Sequence, residues 1–579
     1  MKINGLDVLE GVGTPRNTIP GLSIRNIGLL MARKRGVEGK VYSIDNSADD
    51  VICFGGPQST SLGYWIVQSI FDNIGSAASV SMKSVRVVAP DAVAATFTGA
   101  FGSATLTATA AYQGSTDKGV WGNSISVSVS SKGAYTKDLY TAKVYEDTIE
   151  RGANFRRLRE TWEAKTVAEL VNIFTAQSKY VKLTIDEEPD TLLYVVGTGT
   201  ISITTGSSTV TGVGTSFSAF AANNRGTVLR TSTGVIIGKV LKVLSSTSVL
   251  LESPYTGNAL AGVTFRTDGY QETMYDLAAG SDGRALTEED FYASTDPQIK
   301  NGLSAFEEED IQFLATTEFR SKTLSVELQN FVTSKFANLV TVIDCYPFMA
   351  SEATIADYAE TFLTPDVSPM AFYREWIEVQ GETKDTTVII PLWGALFGAY
   401  LRKAQSEGNY PHIAPGGEKT RLNGVIRVYP DKAPDGDRFL KEYNVNKLVF
   451  DKDLGYWMST SRTQSTNDLH VSIHTRVSTS YISRSVKISE RVLIQDSNSP
   501  EAQSQHKIRL RSFFKTLYNT GTLERGIPFS TAYIDPVITT GANRRQFIST
   551  LNYILSECVE YAQININRND NLLTVSEGQ

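Results

Sequence analysis

The chain has 579 residues, of which 41% are apolar and 20% are charged, and its formal net charge at pH 7 is -7. This length exceeds what a single hydrophobic core can organise and predicts three or four domains of ordinary globular composition. The negative net charge excludes a bulk attraction for nucleic acid or for an anionic membrane, so either contact would require a local basic patch.

The sequence carries no pattern typical of secretion, membrane insertion or disulfide bonding. The N-terminal MKINGLDVLEG lacks the apolar segment of a secretory signal, and the longest uncharged apolar run, at 388–401, is shorter than the roughly 20 residues of a membrane span. Cys53, Cys345 and Cys558 are far apart and odd in number, which favours reduced thiols in a cytoplasmic setting. We therefore expect no direct membrane insertion.

The first 96 residues divide into an arm and half of a domain. Residues 1–26 combine glycine and proline (GVGTPRNTIPG) with too few apolar residues for a core, and we predict an N-terminal arm there. From residue 27, the apolar segments IGLLMA, VICFGG and SVRVV predict strands, and a helix with Leu62, Trp65 and Ile70 on one face lies among them. This alternation is typical of an α/β domain, but only half of the strands and helices of such a domain are predicted here.

A period of two residues then predicts β-structure. In GVWGNSISVSV (119–129) apolar residues alternate with serine, which indicates a strand with one buried face. Gly119 and Gly122 are expected to supply positive φ angles before it, Asn123 lies in the same turn, and Trp121 is large enough to close the end of a β-sandwich. A helix at about 167–174 and the strand YVKLTI complete this predicted domain.

The segment 197–267 is rich in threonine, serine and glycine, with β-branched residues alternating through GVIIGKVLKVLSSTSVLLES. Short strands with turn signals at this spacing predict a small barrel or sandwich. Because helix and strand signals resume on either side, we interpret the segment as an insertion. Its role stays open between a surface decoration and a contact with a receptor or glycan.

The loop DLAAGSDGRALTEEDF (276–291) has the composition of a metal or phosphate site. With Gly283 at the sixth position of a calcium loop, the first and third ligands would fall on Ala278 and Gly280, so the spacing excludes that motif. We interpret the loop as a structural turn in which Gly280 and Gly283 give backbone freedom beside Asp282. Thr287 is expected to cap a following helix, and Glu288 and Glu289 are expected to stabilise the N-terminus of that helix.

From 323 onward helices and strands alternate again through LVTVID, IADYAETFL, MAFYREWIEV and TVII to a helix at 391–404. This pattern predicts a largely parallel sheet that the earlier half domain completes. After 437 we predict a helix, strands at KLVF, YWMST and LHVSIHTRV, a helix to 494, a further helix at 544–556, the strand EYAQININ and a polar tail. The helix at 500–520 has the clearest limits, with Ser499 as N-cap, Pro500 in its first turn and Gly521 beyond its end.

The sequence does not contain the residues of known enzymatic motifs at the spacing that those motifs require. HIAPGGEKT (412–420) has Ile413 and Glu418 where a phosphate loop needs glycine. His470 and His474 have the spacing of a helical metal pair, but the alternation of LHVSIHTRV is strand-like and would place them about 13 Å apart. No G-x-S-x-G nucleophile turn occurs. We therefore predict no catalytic, cofactor-binding or metal-binding residue.

Two surface features could serve assembly. On the helix 500–520, Lys507, Arg511 and Lys515 recur every four residues beside Arg509, and the face is either a solvated charged surface or a docking site for an acidic partner. The chain ends could add strands to neighbouring subunits by β-augmentation, or fold back on their own chain. The candidate residues at the ends are Ile3, Leu6, Val8, Val559, Tyr561, Ile564 and Ile566.

Five blocks in this order resemble the tail sheath proteins of contractile phage tails and related contractile injection systems. They are VICFGGP with SVRVV, GVWGNSISVSV, LAAGSDGRALTEEDF with GLSAFEEEDIQFLA, YPHIAPGGEKTRLNGV, and the C-terminal run through the capped helix and YNTGTLERG. The likeness covers most of the chain outside 197–267. Glu375 and Trp376 depart from it, because the family has a more apolar dipeptide there.

The resemblance implies an α+β multidomain protein with a subtilisin-like α/β middle domain that lacks hydrolase activity. The expected parts are an N-terminal arm (1–26), the discontinuous middle domain (27–96 and 268–436), a β-sandwich (97–196), a small all-β insertion (197–267), an α/β C-terminal sheath domain (437–558) and a C-terminal strand and tail (559–579).

The resemblance also implies a function. Subunits would stack as hexameric rings in a helical polymer around a tail tube protein, contract, and drive the tube through a target cell envelope. Baseplate and tail terminator proteins are the further partners expected, in a virion tail assembled in the host bacterial cytoplasm, with no nucleic acid and no cofactor. A non-contractile tail or adhesin-type receptor-binding protein, and a hydrolase suggested only by fold analogy, are the alternatives.

Overall fold

In the computed structural model of the chain, the described residues form several sheets and a C-terminal helical cluster. They are residues 2–3, 6–7, 19, 25–75, 80–101, 104–132, 139–150, 153–186, 194–217, 228–268, 273–294, 296, 300–430, 436–453, 455–489, 499–540, 547–557, 564–569 and 572–577. Among them, no helix is both long and apolar enough to cross a bilayer.

The N-terminal part contributes a short hairpin and the first strands of a central sheet. Its elements are β1 (Lys2–Ile3), β2 (Leu6–Asp7), β3 (Ile27–Ala32), β4 (Tyr42–Ile44), α1 (Ser47–Phe54), α2 (Gly63–Ile74) and β5 (Met82–Val87). The strand predicted at VICFGG is wrong, because these residues end α1. The Asn46 side chain accepts a hydrogen bond from the Asp49 backbone N and so caps this helix, a local signal that outweighs the short apolar run.

The next part forms two sheets that share one core. Its elements are β6 (Thr96–Phe101), β7 (Ala104–Tyr112), β8 (Ser115–Thr116), β9 (Ile125–Lys132), β10 (Leu139–Glu150), β11 (Ala153–Ala164), α3 (Val167–Gln177) and β12 (Val181–Ile185). One sheet has the order β12-β7-β6 with β8 beside β7, and the other begins β11-β10-β9. Apolar residues of both sheets, Trp121 and α3 lie in a single buried cluster.

The threonine-rich segment folds as one antiparallel sheet with its own core. Its strands are β13 (Tyr194–Val196), β14 (Thr200–Ile203), β15 (Thr209–Val213), β16 (Val228–Thr231), β17 (Ile236–Ser245), β18 (Ser248–Leu251), β19 (Leu260–Val263) and β20 (Phe265–Asp268). Val263 pairs with β14 and Phe265 with β16, so the two ends of the sheet meet around Thr264. The sheet therefore closes on itself around a separate core.

The central sheet is completed after the insertion. The elements are β21 (Thr273–Asp276), β22 (Phe313–Thr316), α4 (Lys322–Phe336), β23 (Thr341–Cys345), α5 (Glu352–Phe362) and β24 (Met370–Tyr373). β21 pairs with β9, whereas β22 to β24 join β3 to β5 in the order β24-β23-β22-β3-β5-β4, parallel except for β4. Both faces of this sheet are buried, with α1 and α2 on one side and α4 and α5 on the other.

A third helix packs on the side of the central sheet that carries α1 and α2. The elements here are β25 (Trp376–Gln380), β26 (Thr387–Pro391), α6 (Trp393–Ser406) and β27 (Val425–Tyr429). MAFYREWIEV, expected as one strand, is two strands in different sheets, with Arg374 and Glu375 between them. On α6, a Cβ built at Gly398 would lie 2.3 Å from the Ile70 carbonyl oxygen, so glycine is what allows α6 to approach α2.

The described residues of the C-terminal part form four helices and three hairpins. Its elements are α7 (Gly436–Tyr443), β28 (Leu448–Asp451), β29 (Gly455–Met458), α8 (Ile473–Ser489), α9 (Pro500–Thr520), α10 (Phe529–Ala532), β30 (Tyr533–Thr540), β31 (Phe547–Tyr553), β32 (Ile564–Asn569) and β33 (Leu572–Glu577). The predicted limits of α9 are confirmed: the Ser499 side chain accepts from the Ala502 backbone N, and Gly521 takes a left-handed φ of 88°.

Three predictions in this part are wrong. LHVSIHTRV leads into the helix α8, whose first turns are buried on nearly every side, so its apolar residues do not reveal a helical period. The helix expected at 544–556 is the strand β31, in which Leu551 and Tyr553 contact the C-terminal core while Ile548, on the opposite face of the strand, is exposed. The polar tail expected at the terminus includes β33, which pairs with β32.

Candidate functional site

The two loops singled out in the sequence lie against each other. The Asn123 side-chain Nδ2 donates to the Gly280 carbonyl oxygen at 3.0 Å, and the Gly280 backbone N donates to Asn123 Oδ1 at 2.8 Å. The Val120 backbone N donates to Asp282 Oδ1 at 3.0 Å. The turn before β9 and the loop after β21 therefore form one joint, which we call the 123–280 joint.

Two glycines of this joint, Gly119 and Gly283, have positive φ angles, whereas Gly122 and Gly280 allow close approach of neighbouring atoms. Gly283 has a left-handed φ of 74°, and a Cβ there would lie 2.4 Å from Asp91 Oδ1. The expected positive φ at Gly122 is wrong: its backbone is ordinary, but a Cβ would lie 2.7 Å from the Ala95 Cβ. Gly280 likewise has no left-handed φ, and a Cβ there would lie 2.5 Å from the Gly119 carbonyl oxygen.

The short helix after the joint is capped as predicted, but it is a 3-10 helix of four residues, Glu288–Phe291. The Thr287 backbone N donates to Asp290 Oδ2 at 2.8 Å, and Arg284 forms a bidentate ion pair with the same carboxylate. This carboxylate therefore has both a backbone and a guanidinium partner. These bonds hold the loop in shape.

Arg86, at the end of β5, ties the joint to the central sheet. Its side chain is 4% exposed and donates to Asp117 Oδ1 at 3.0 Å and to the carbonyl oxygens of Arg33, Gly36 and Lys118. Burial lowers the pKa of Arg86, and the carboxylates of Asp117 and Asp282 oppose that shift. These bonds make the contact between the β-rich part and the central sheet specific, since removing either partner would leave a buried charge.

A cavity of about 560 Å³ opens at the carboxyl ends of β3, β5 and β22, the place where ligands bind in many α/β folds. The charged groups that line it already have protein partners. Arg33 forms a bidentate pair with Asp50, and Glu318 Oε1 accepts from the backbone N of Leu62 and of Gly63 at the start of α2. These side chains hold the fold together at this edge.

The four histidines do not converge on a site. His474 is buried in α8, with Nε2 3.3 Å from the Ser556 carbonyl oxygen, and His506 Nε2 is 3.0 Å from Ser549 Oγ, which holds β31 to α9. The strand spacing predicted for His470 and His474 is wrong, because His474 lies in a helix and His470 precedes it. In the described part of the chain, no three His, Cys, Asp or Glu side chains are grouped to hold a metal ion.

The helix α9 presents the predicted basic face on its outer side. Its apolar residues Leu510, Phe513, Phe514 and Leu517 are buried. Arg511 donates to Asp535 Oδ2 at 2.8 Å, and the Lys515 Nζ lies 4.7 Å from the centre of the Phe529 ring. Lys507 is exposed and Arg509 half-buried. Arg511 and Lys515 thus contact other residues of the chain, while Lys507, Arg511 and Lys515 all stay exposed to solvent.

The terminal segments form hairpins with themselves. Ile3 and Leu6 pair with each other across β1 and β2, and Ile564 and Ile566 lie in β32, opposite β33. The candidate residues Val8, Val559 and Tyr561 lie outside the described residues. In the single chain both ends therefore form local hairpins.

The cluster around α9 also receives the start of the chain, which the sequence did not indicate. Ile19 is 7% exposed and packs with Ile482, Leu510 and Phe514 in the C-terminal core. Among the strands that the structure describes, β30 and β31 pair only with each other, and none pairs with their outer edges. No sequence signal marks Ile19, because a single apolar residue in a glycine- and proline-rich segment shows no period.

The fold resembles solved structures of sheath proteins. Comparison of the sequence with protein-family models finds no match, and comparison with curated proteins finds none. The sheath tail protein Lin1278 of Listeria innocua is 13% identical, with a TM-score of 0.51 over 96% of both chains. The sheath tail protein DSY3957 of Desulfitobacterium hafniense is 11% identical, with a TM-score of 0.48 over 95% of this chain and 100% of that chain.

A sheath from an extracellular contractile injection system, solved in the contracted state, is 15% identical with a TM-score of 0.38, over 47% of this chain and 75% of that chain. At these identities the likeness to the Listeria protein concerns the fold. The predicted resemblance to tail sheath proteins is confirmed at that level: the chain has a mixed α+β, multi-sheet fold that matches a sheath tail protein over nearly its whole length.

Proposed function

We propose that this chain is a contractile tail sheath subunit that polymerises as stacked hexameric rings around an inner tail tube. Contraction of the polymer drives the tube through a target cell envelope. The observation that carries the proposal is the fold shared with the Listeria innocua sheath tail protein over 96% of both chains. The five sequence blocks in the same order support it independently of the fold.

The domain arrangement follows from the same proposal. The middle domain is discontinuous (27–96 and 268–436) and subtilisin-like without hydrolase chemistry, which agrees with the pairing of β3 to β5 with β22 to β24 in one sheet. The β-sandwich (97–196) carries the inserted β domain (197–267) outward, and the C-terminal sheath domain (437–558) contains α9. The arms are residues 1–26 and 559–579.

The arms link neighbouring subunits by adding strands to a neighbour's sheet. Support comes from the β30–β31 hairpin on the C-terminal cluster, because no described strand pairs with its outer edges and a neighbour's strand could pair there. Each added hydrogen bond contributes a net ~1 kcal/mol, so one link is modest, but two arms per subunit across a polymer hold the lattice together.

The tail tube protein docks on the basic face of α9 through Lys507, Arg509, Arg511 and Lys515, and baseplate and tail terminator proteins cover the two ends of the polymer. The particle is a virion tail or a related injection device, assembled in the cytoplasm of the host bacterium. Contraction is a rigid-body rearrangement to a lattice with more buried interface, and its energy is stored when the lattice assembles.

Negative-stain electron microscopy of three purified chains tests the proposal. They are the full chain, a control that ends at Glu577 and keeps β33, and a version that ends at Val559. Hollow tubes of stacked rings from the first two, and none from the third, are expected. Small closed particles from all three, together with binding to a glycan or to a cell surface, would instead establish an adhesin.

A further inference from the structure

Three parts of the chain meet around Arg25, just before β3. The Arg25 guanidinium is buried, donates through Nη1 to Asn409 Oδ1 at 2.6 Å, and also donates to the Tyr410 carbonyl oxygen. It lies over the Tyr400 ring, 4.9 Å from the ring centre. Arg25 therefore fixes the segment before β3 to α6 and to the segment 409–412.

His412 connects the same segment to the C-terminal cluster. Its ring stacks on Tyr410, and its Nδ1 lies 3.2 Å from Thr522 Oγ1. Thr522 is buried in the turn after α9, where its backbone N donates to the Leu517 carbonyl oxygen and its own carbonyl accepts from the Ser556 backbone N. The contact of His412 with Thr522 thus joins the segment 409–412 to the turn that ends α9.

The charges around His412 are mostly positive. Arg25 faces it from the segment before β3 and Arg525 from the turn after α9, while Glu407 at the end of α6 is the one acidic group among the charges that act on it. Glu407 Oε1 is engaged by Lys419 Nζ at 2.8 Å. Burial lowers the pKa of His412, and Arg25 and Arg525 act in the same direction against Glu407. A protonated ring would add a third positive charge to this junction.

We propose that His412 is an acid-sensitive latch: while it is neutral, it holds the segment 409–412 against the turn after α9, and its protonation opens that contact. The latch belongs to the single chain and does not depend on the proposed function. The turn after α9 belongs to the C-terminal core, in which Ile19 and residues of β30 and β31 also pack. Opening the latch therefore loosens the packing of this core.

The sign of the pH dependence follows from the lowered pKa. A closed junction binds fewer protons than an open one, so its stability is fully present above the ordinary histidine pKa of about 6.5 and is lost as the pH falls below that value. If the closed form stays neutral at pH 5.5, the open fraction rises about tenfold between pH 7.5 and pH 5.5.

Hydrogen exchange on the full chain tests this, with protection corrected for the pH dependence of intrinsic exchange. We expect the amides of Thr522 and Ser556 to lose about tenfold protection between pH 7.5 and pH 5.5, and His412→Gln to remove most of that loss. His470→Gln is the matched control, because burial also lowers the pKa of His470 but that residue lies outside the junction. The control variant should behave as the parent does.

A second measurement does not require any variant to fold. The chain has only four histidines, so labelling of histidine carbons gives a small set of resonances to titrate. Titration of His412 at or above the ordinary histidine value would overturn the latch, as would equal pH dependence in the parent chain and His412→Gln. Titration well below that value, with loss of the pH effect in His412→Gln alone, would establish it.

Discussion

Asn123 and Gly280 exchange two hydrogen bonds although 157 residues separate them in sequence. Between them the chain makes the strands β9 to β12, the whole closed sheet of the insertion and β21. The joint therefore holds together the two ends of this long chain segment. Because loop-closure entropy rises slowly with loop length, a scaffold closed in this way tolerates an inserted domain at small thermodynamic cost.

Replacing Asn123 with alanine removes both bonds of the joint and leaves the Gly280 backbone groups to water. Since these groups are exposed, we expect a loss of roughly 1–2 kcal/mol in the free energy of unfolding, measured by urea denaturation. Asn258→Ala, at an exposed site in the insertion, is the control and should change stability by less than about 0.5 kcal/mol. Equal effects of the two changes would show that the bonds contribute nothing.

Gly398→Ala tests the contact between α2 and α6. The added methyl group would lie 2.3 Å from the Ile70 carbonyl oxygen, and that backbone atom cannot move without shifting the helix. We expect a loss of roughly 1–3 kcal/mol, seen as a lower midpoint of thermal unfolding. Gly56→Ala is the matched control, because a Cβ there meets nothing within 4 Å. A midpoint unchanged in Gly398→Ala would refute the close approach.

Glu375 is a buried carboxyl between β24 and β25, and its Oε2 has no hydrogen-bond partner among the described residues. Burial raises the pKa of Glu375 from 4.5 to about 7. The folded state therefore binds its proton more tightly, so this group's stabilising contribution is present below about pH 4.5 and is lost as the pH rises towards 7.

Glu375→Gln replaces the carboxyl with a neutral group of similar shape. We expect the variant to be more stable than the parent chain at pH 8, by roughly 1–3 kcal/mol, and similar to it at pH 5. Urea denaturation at the two pH values measures both differences. A variant that is less stable at pH 8 would mean that the ionised carboxylate has a favourable partner in the folded chain.

Reversing Lys507, Arg511 and Lys515 to glutamate should leave the subunit folded and prevent its assembly on the tail tube. The loss of the exposed pair between Arg511 and Asp535 costs less than about 1 kcal/mol, so circular dichroism should be unchanged. Co-sedimentation with purified tail tube measures docking. Lys384, Lys441 and Lys452, exposed elsewhere, give a control with the same change in charge. Normal sedimentation of the α9 variant would exclude docking on this face.

Local signals account for the elements that the sequence predicted well. The limits of α9 follow from Ser499, Pro500 and Gly521, each of which acts within one turn of the helix. The strand β31 and the start of α8 were not predicted correctly, because contacts with other elements determine which of their residues are buried. Ile548 is exposed while Leu551 and Tyr553 contact the cluster around α9, and the first turns of α8 are buried between other elements, so neither segment shows the period of its own structure.

The sequence by itself determined the order of the α/β and β-rich segments, the helix caps, the basic face of α9 and the ordered blocks that resemble sheath proteins. These features depend on residues close together in the chain, where periodicity and capping act. Only the tertiary structure decided that Asn123 meets Gly280, that Arg25, His412 and Thr522 share one junction, and that Ile19 packs in the C-terminal core. Such contacts join residues far apart in sequence and leave no local pattern, because packing of whole elements sets them.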